Sequence, residues 1–273
     1  LPLLGIYPEF LYQAQRYRAC WYAEAMKLAL QHKQGIIAIL NQWRAEPLAD
    51  YWWPVTGFCA QCGKDDLTFS LYDGSYGLTY TCGCGFVKKV DLRKDGELSL
   101  LWRVDWPMRW AYEKVDFEPG GKDHSTVGGS YTTAKDIVSE VYSWQAPYYV
   151  MYDFIRIKGG VGKISSSTGE VVTVQDVLTV YEPMMVRWLF AGTRSNTEFA
   201  VSFDADVIKN YEDFDRLERV YFGEETCSEQ QREKLRRIYE LSCIDSVPSS
   251  LPYQPSFRHL TNVLQMHGLD ISA

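Results

Sequence analysis

Val115-Asp116-Phe117-Glu118, running into Pro119-Gly120-Gly121-Lys122-Asp123-His124, reads as a short β-strand that ends in a glycine-rich loop. After the Gly128-Gly129 pair, Thr132 to Tyr142 has helical spacing. Tyr149 to Ile157 alternates and is rich in β-formers, which predicts a second strand. That strand ends in Lys158-Gly159-Gly160-Val161-Gly162-Lys163-Ile164-Ser165-Ser166-Ser167-Thr168-Gly169. Thr173 with Asp176 is then placed to cap a helix reaching Phe190. Strand, helix, strand, loop, helix is the pattern of an α/β sheet whose site lies at the carboxyl ends of its strands.

Working outward, residues 12 to 34 and Gly35 to Arg44 read as helices, and Tyr51-Trp52-Trp53 between Pro47 and Pro54 marks a boundary. Downstream, Asp206 to Phe222 and Glu229 to Leu241 are predicted helices. Pro248, Pro252 and Pro255 form a linker, and Phe257 to Met266 begins another helix. A chain of 273 residues exceeds what one hydrophobic core usually fills, so two or more domains are expected. With 28 Lys+Arg against 35 Asp+Glu the net charge is -7, which excludes a uniformly basic nucleic-acid binder but not a local basic surface. A composition of 46% hydrophobic and 23% charged residues excludes global disorder. The charge-free stretch Gly74 to Val87 is too short and polar to span a bilayer, so no membrane partner is expected. The chain opens Leu1-Pro2-Leu3, without Met and without a signal-peptide pattern.

Four of seven cysteines cluster: Cys59-Ala60-Gln61-Cys62-Gly63 and Cys82-Gly83-Cys84-Gly85. Four thiolates at this spacing suit tetrahedral zinc, because the glycines let backbone amides turn toward sulfur. Leu67 to Leu71 and Leu78 to Thr81 read as two strands joined by Tyr72-Asp73-Gly74-Ser75-Tyr76-Gly77, completing a zinc ribbon. A redox CxxC or a pair of disulfides is the alternative; a ribbon this small needs its metal to fold, which makes the role structural. Cys20, Cys227 and Cys243 read as ordinary thiols.

Two loops carry candidate chemistry. Lys163-Ile164-Ser165-Ser166-Ser167 follows a strand, where small residues let backbone close over phosphates and a lysine supplies charge; a flexible Gly/Ser linker is the alternative. It is not a Walker loop. His124 beside Asp123 at a strand end can bond a ribose or a carboxylate, although a lone histidine of this kind is commonly structural. Trp102, Trp106 and Trp110 recur every four residues on one helix face, as a core stripe or as an aromatic wall around an ammonium group.

Together these stretches resemble class I lysyl-tRNA synthetase. The likeness rests on Trp102-Arg103-Val104-Asp105-Trp106-Pro107-Met108-Arg109-Trp110, Asp116-Phe117-Glu118, Gly121-Lys122-Asp123-His124 and Lys163-Ile164-Ser165-Ser166-Ser167. It continues through Phe203-Asp204-Ala205-Asp206 and Asp215-Arg216-Leu217-Glu218-Arg219 to Pro255-Ser256-Phe257-Arg258-His259-Leu260. The resemblance implies a cytoplasmic enzyme that activates lysine with ATP and Mg2+ and passes it to tRNA(Lys). It matches Lys163, Ser165, Ser166 and Ser167 to the KMSKS loop that grips the triphosphate. It matches Trp102, His124 and Tyr152 to the lysine pocket, and Gly121 and Asp123 to the flank of the adenylate. Zn2+ on Cys59, Cys62, Cys82 and Cys84 falls where the family carries an insertion.

The fold implied is α/β: a partial Rossmann-type class I synthetase catalytic domain with a zinc-ribbon insertion and a mainly helical C-terminal part. Residues 1–46 would be the helical part of the Rossmann domain and 47–100 the zinc ribbon. Residues 101–172 would be the second Rossmann half with the KMSKS-like loop, 173–247 a helical stem-contact region, and 248–273 the start of an anticodon-binding domain. The sequence departs from the pattern in two ways. Ser166 and Thr168 stand where the loop usually has lysines, leaving Lys163, helped by Lys158, to carry the charge. No HxG[HN] motif surrounds His32, His124, His259 or His267, so the half bearing that motif would precede Leu1 and this chain alone would be inactive. That absence also fits a different class, a non-catalytic tRNA-binding or regulatory paralogue that keeps the zinc ribbon. A third reading is a zinc-ribbon interaction protein whose Gly/Ser loop is coincidental. Asp105, Asp116 and Glu118 are candidate partners for the lysine ammonium.

Overall fold

The computed structural model describes residues 1–159 and 172–266, and the chain divides into two compact units. One comprises Phe10–Tyr152, the other Leu1–Glu9 with Asp153–Ala273.

The Phe10–Tyr152 unit begins with α1 (Gln13–Arg18), α2 (Ala23–Gln31) and α3 (Lys33–Asn41). The sequence predicts one helix over 12 to 34; the chain instead breaks at Cys20, which adopts φ 59°, a left-handed conformation that ends α1 and redirects the backbone. Next come β1 (Val55–Gly57), β2 (Leu67–Tyr72), β3 (Gly77–Cys82), β4 (Val87–Asp91) and β5 (Leu98–Leu100). β2, β3 and β4 form an antiparallel sheet in that order, while β1 and β5 pair antiparallel, Val55 opposite Leu100. The third strand of the ribbon, β4, was not legible: Val87-Lys88-Lys89-Val90-Asp91 has charged residues where alternation would show.

α4 (Trp102–Glu113), β6 (Phe117–Gly121), α5 (Ser130–Tyr142) and β7 (Tyr148–Tyr152) complete the unit. β6 and β7 run parallel, from Phe117 opposite Tyr148 to Gly121 opposite Tyr152, with α5 as the crossover. β6 lies later than the sequence suggests. It runs through Pro119-Gly120-Gly121, and Gly120 is required there because a Cβ would collide with the ring of Tyr149. The core joins Met26, Ala29, Leu30, Ile36, Leu40 and Val104 to Leu78, Tyr80 and Val90 of the ribbon. A smaller cluster packs Trp106 and Trp110 of α4 against Ala134 and Val138 of α5.

Tyr17 ties this core together. Its buried hydroxyl donates to Asp105 Oδ1 at 2.5 Å and accepts the Leu100 N–H at 3.3 Å. Burial, then the neighbouring Asp105 carboxylate, raises its pKa far above the usual phenol range, so it stays a donor.

In the second unit, β8 (Ile155–Ile157) precedes α6 (Val174–Val177), α7 (Pro183–Gly192) and β9 (Phe199–Val201), and β8 pairs parallel with β9. The single strand predicted over Tyr149 to Ile157 is therefore two. Asp153 and Phe154 separate them: the Asp153 carboxylate accepts the N–H of Phe154 at 2.7 Å, and the Asp153 N–H donates to Ser195 O at 2.8 Å. The capping box at Thr173 and Asp176 forms as predicted, but its helix stops after one turn. Pro183 starts a new helix, and Glu182 before it is held extended, ψ 151°. α8 (Asp206–Phe222), α9 (Glu229–Ser242) and α10 (Phe257–Met266) follow. Buried Glu218 of α8 accepts from Tyr239 Oη at 2.9 Å and from Gln254 Nε2 at 2.7 Å, and the Arg258 guanidinium makes a bidentate pair with Glu212. No helix among the described residues is long and apolar enough to cross a membrane.

Tyr17→Phe leaves the Leu100 N–H without an acceptor and removes a donor from Asp105. It is expected to destabilise the protein by about 1–3 kcal/mol in urea unfolding; an unchanged midpoint would contradict the role given to this hydroxyl.

Candidate functional site

The carboxyl ends of β6 and β7 hold one candidate site. Beyond Gly121 the chain folds into a tight loop: the Lys122 N–H donates to Tyr152 O at 2.9 Å and the His124 N–H donates to Gly121 O at 3.0 Å. Ser125 locks the loop, its hydroxyl donating to Gly121 O at 2.9 Å and meeting Tyr149 Oη at 2.8 Å. His124 is thereby held against α4. Its imidazole lies 6.0 Å from the Trp102 ring and 5.8 Å from the Trp106 ring, centre to centre, and those two indoles stack on each other at 5.3 Å. The stack continues through Trp110 and Tyr131 to Tyr149, whose ring lies 3.8 Å from that of Tyr131.

The tryptophan stripe thus divides by depth. Trp106 and Trp110 are buried, whereas Trp102 is 47% exposed and forms the rim, with the Arg109 guanidinium 5.6 Å from its ring. Trp102 and His124 are brought together. Tyr152, also 47% exposed, stands on the neighbouring strand, its ring beside Gly121, and Asp123 lies close to Gly121 as well. Of the three candidate carboxylates, Asp105 is engaged by Tyr17 and by Arg109 at 2.9 Å, and Glu118 accepts from Trp110 Nε1 at 2.9 Å, while Asp116 is exposed. Ser125 and Tyr149, which fix the loop, were not singled out from sequence, and only the position of Ser125 next to His124 pointed to it. Lys163, Ser165, Ser166 and Ser167 lie outside the described residues. Lys158, read from sequence as a helper to that loop, is paired with Asp204 at 3.0 Å and Asp206 at 2.5 Å.

The second site is the cysteine cluster. Cys59 and Cys62 follow β1, and Cys82 and Cys84 flank the end of β3. The four sulfurs lie within 4.8 Å of one another, with Cys59 to Cys84 at 3.8 Å and Cys62 to Cys82 at 3.6 Å. These separations fit the edge of about 3.8 Å expected for a tetrahedral ion with metal–sulfur bonds of about 2.3 Å. Gly63 (φ 72°) and Gly85 (φ 88°) turn the two knuckles in left-handed conformations, and the Gln61 N–H donates to Cys59 Sγ at 3.4 Å. Burial pushes the Cys59 thiol up, but hydrogen bonds from the Cys62 and Gln61 amides and from neighbouring thiols bring it down to about 7. The Cys84 amide lowers Cys82, yet burial and its hydrogen bonds to the other three thiols outweigh that and push it to about 12. Four sulfurs gathered this closely, on knuckles turned by glycine, form the donor set of a tetrahedral thiolate metal site.

The profile of the family described as tRNA synthetases class I (K) matches residues 1–245. The lysine–tRNA ligase of Treponema pallidum is 49% identical over 276 residues, covering 100% of this chain and 52% of that protein. That of Borrelia garinii subsp. bavariensis is 47% identical over 272 residues, covering 100% of this chain and 52% of the relative. That of Thermococcus kodakarensis is 42% identical over 272 residues, covering 98% and 51%. The chain spans about half the length of the curated relatives it matches. On the family match across residues 1–245 and these identities over nearly all its length, the chain belongs to the class I lysyl-tRNA synthetases.

Proposed function

We propose that this chain is part of a lysine–tRNA ligase that joins lysine to ATP as lysyl adenylate, releasing pyrophosphate, and then passes the lysyl group to the 3′-terminal adenosine of tRNA(Lys), releasing AMP. The observation that carries this reading is the alignment of the whole chain with lysine–tRNA ligases. The geometry at the β6–β7 strand ends supports this reading. Trp102 and His124, in mutual ring contact, with Tyr152 across the sheet, form an aromatic wall suited to a lysine ammonium by cation–π attraction. Gly121 and Asp123 flank the adenylate, where a glycine lets backbone approach a ligand closely. Lys163 with Ser165, Ser166 and Ser167 holds the triphosphate, whose Mg2+ would neutralise part of its charge. The reaction belongs to the cytoplasm.

In this reading β6, α5 and β7 belong to the second half of a Rossmann-type domain over 101–172, which residues 1–46 join as its helical part. Residues 47–100 are the zinc-ribbon insertion, 173–247 a helical region for the tRNA stem, and 248–273 the beginning of an anticodon-binding domain. Cys59, Cys62, Cys82 and Cys84 would hold Zn2+, which supplies folding energy rather than chemistry.

Three outcomes test this reading in the whole protein that carries this sequence. Trp102→Ala is expected to raise the KM for lysine about two- to thirtyfold, the range of a cation–π contact worth ~0.5–2 kcal/mol; an unaltered KM removes Trp102 from the pocket. Lys163→Ala is expected to slow lysine-dependent ATP–pyrophosphate exchange by about 10²-fold while lysine binding changes far less. Exchange at the unsubstituted rate sinks that assignment. Elemental analysis of freshly purified protein is expected to find one zinc per chain, lost in Cys62→Ser; its absence from the unsubstituted protein refutes the zinc site.

A further inference from the structure

A cavity of about 490 Å³ opens beside Trp102, on the side of the loop that follows α3. Its walls include Trp43, Trp52 and Trp102, and its rim carries Arg44 and Arg103. The volume falls within the range of ~300–1,000 Å³ typical of ligand sites. Three features give it a definite chemistry.

The first is a flat aromatic platform. The Trp43 indole lies against Gly128, whose φ is +74°; a Cβ there would come within 2.9 Å of the ring, so only glycine lets the indole settle. Trp43 nonetheless stays 44% exposed and lines the cavity. The second is uncommitted positive charge. Arg44 Nε donates to the Glu46 carbonyl at 3.1 Å and Arg103 donates to Thr133 Oγ1 at 3.4 Å, and neither pairs with a carboxylate among the described residues. Glu46 also lines the rim, leaving two guanidinium groups to one carboxylate. The third is adjacency: the cavity and the strand-end site share Trp102 as a common wall.

Exposed indoles beside unpaired guanidinium groups are what a single-stranded nucleotide requires, a stacking surface for its base and cations for its phosphates. We infer that this cavity receives the single-stranded 3′ end of tRNA, the terminal base stacking on Trp43 and Arg44 and Arg103 meeting the adjoining phosphates. The inference rests on reading the chain as part of a lysine–tRNA ligase. It adds the place from which the accepting hydroxyl reaches the activated carboxyl: the transfer step brings two ligands together, and a wall shared through Trp102 sets them side by side.

The test uses the whole protein and two probes, tRNA(Lys) with a complete 3′ end and the same tRNA lacking its terminal adenosine. Trp43→Ala is expected to weaken binding of the complete tRNA about 5- to 150-fold, the range of one base–aromatic stack, and binding of the shortened tRNA hardly at all. Trp43→Phe is expected to restore most of the affinity. Arg44→Gln, an exposed change, is expected to reduce the slope of log affinity against log salt by about 0.7, one phosphate contact on a single strand. Lysine-dependent ATP–pyrophosphate exchange is expected to stay within about twofold in each variant, which also reports that the protein is folded. Equal weakening of both tRNAs, no weakening of either, or a raised KM for ATP overturns the inference. Absence of exchange in the unsubstituted protein overturns the ligase reading instead.

Discussion

The parallel ladder between β6 and β7 is the constraint on which the candidate site depends. Parallel strands cannot be joined by a tight turn, so α5 must cross between them, and the loop leaving β6 is set against the end of β7. Two glycines make the pairing fit: at Gly120 a side chain would strike Tyr149, and Gly121 lies beside the ring of Tyr152. The Lys122 amide then reaches Tyr152 O, Ser125 bridges Gly121 and Tyr149, and His124 has one place to go, against the indoles of α4. Site geometry here follows from backbone pairing and two missing side chains rather than from any strong ionic bond.

The indole row of α4 serves two purposes through one periodicity. Trp106 and Trp110 are spent on packing against α5, where burial of apolar area stabilises the unit, and Trp102 is left at the rim where it can meet a ligand. The ribbon is organised differently. Its sheet shares the core through Leu78, Tyr80 and Val90, but its tip consists of two glycine-turned knuckles whose four thiols crowd within 4.8 Å. Sulfurs this close suit a shared cation, whose charge would favour their thiolate forms.

Much of this was legible in the sequence, and the exceptions have local causes. The cysteine spacing and the flanking glycines carried the cluster directly, because ligand spacing is a short-range property. The Trp102 stripe was visible as a period of four, but which tryptophan stays exposed is decided by α5, a partner that periodicity on α4 does not reveal. Helices failed to run their expected length where one residue overrode propensity: Cys20 in a left-handed conformation between α1 and α2, and Pro183, which starts α7 afresh. The strand over Tyr149 to Ile157 had the right alternation, yet Asp153 caps the next backbone amide and divides it into two strands with different partners. Ser125 was missed because its role is a hydrogen bond between loop and strand, with no motif to mark it.

The central claim is that the strand-end site belongs to an enzyme for lysine. The most direct measurement offers each of the standard amino acids in turn to the whole protein and follows ATP–pyrophosphate exchange. The account predicts exchange driven by lysine and by no other amino acid at comparable concentration; exchange with a different amino acid, or none at all, would contradict it.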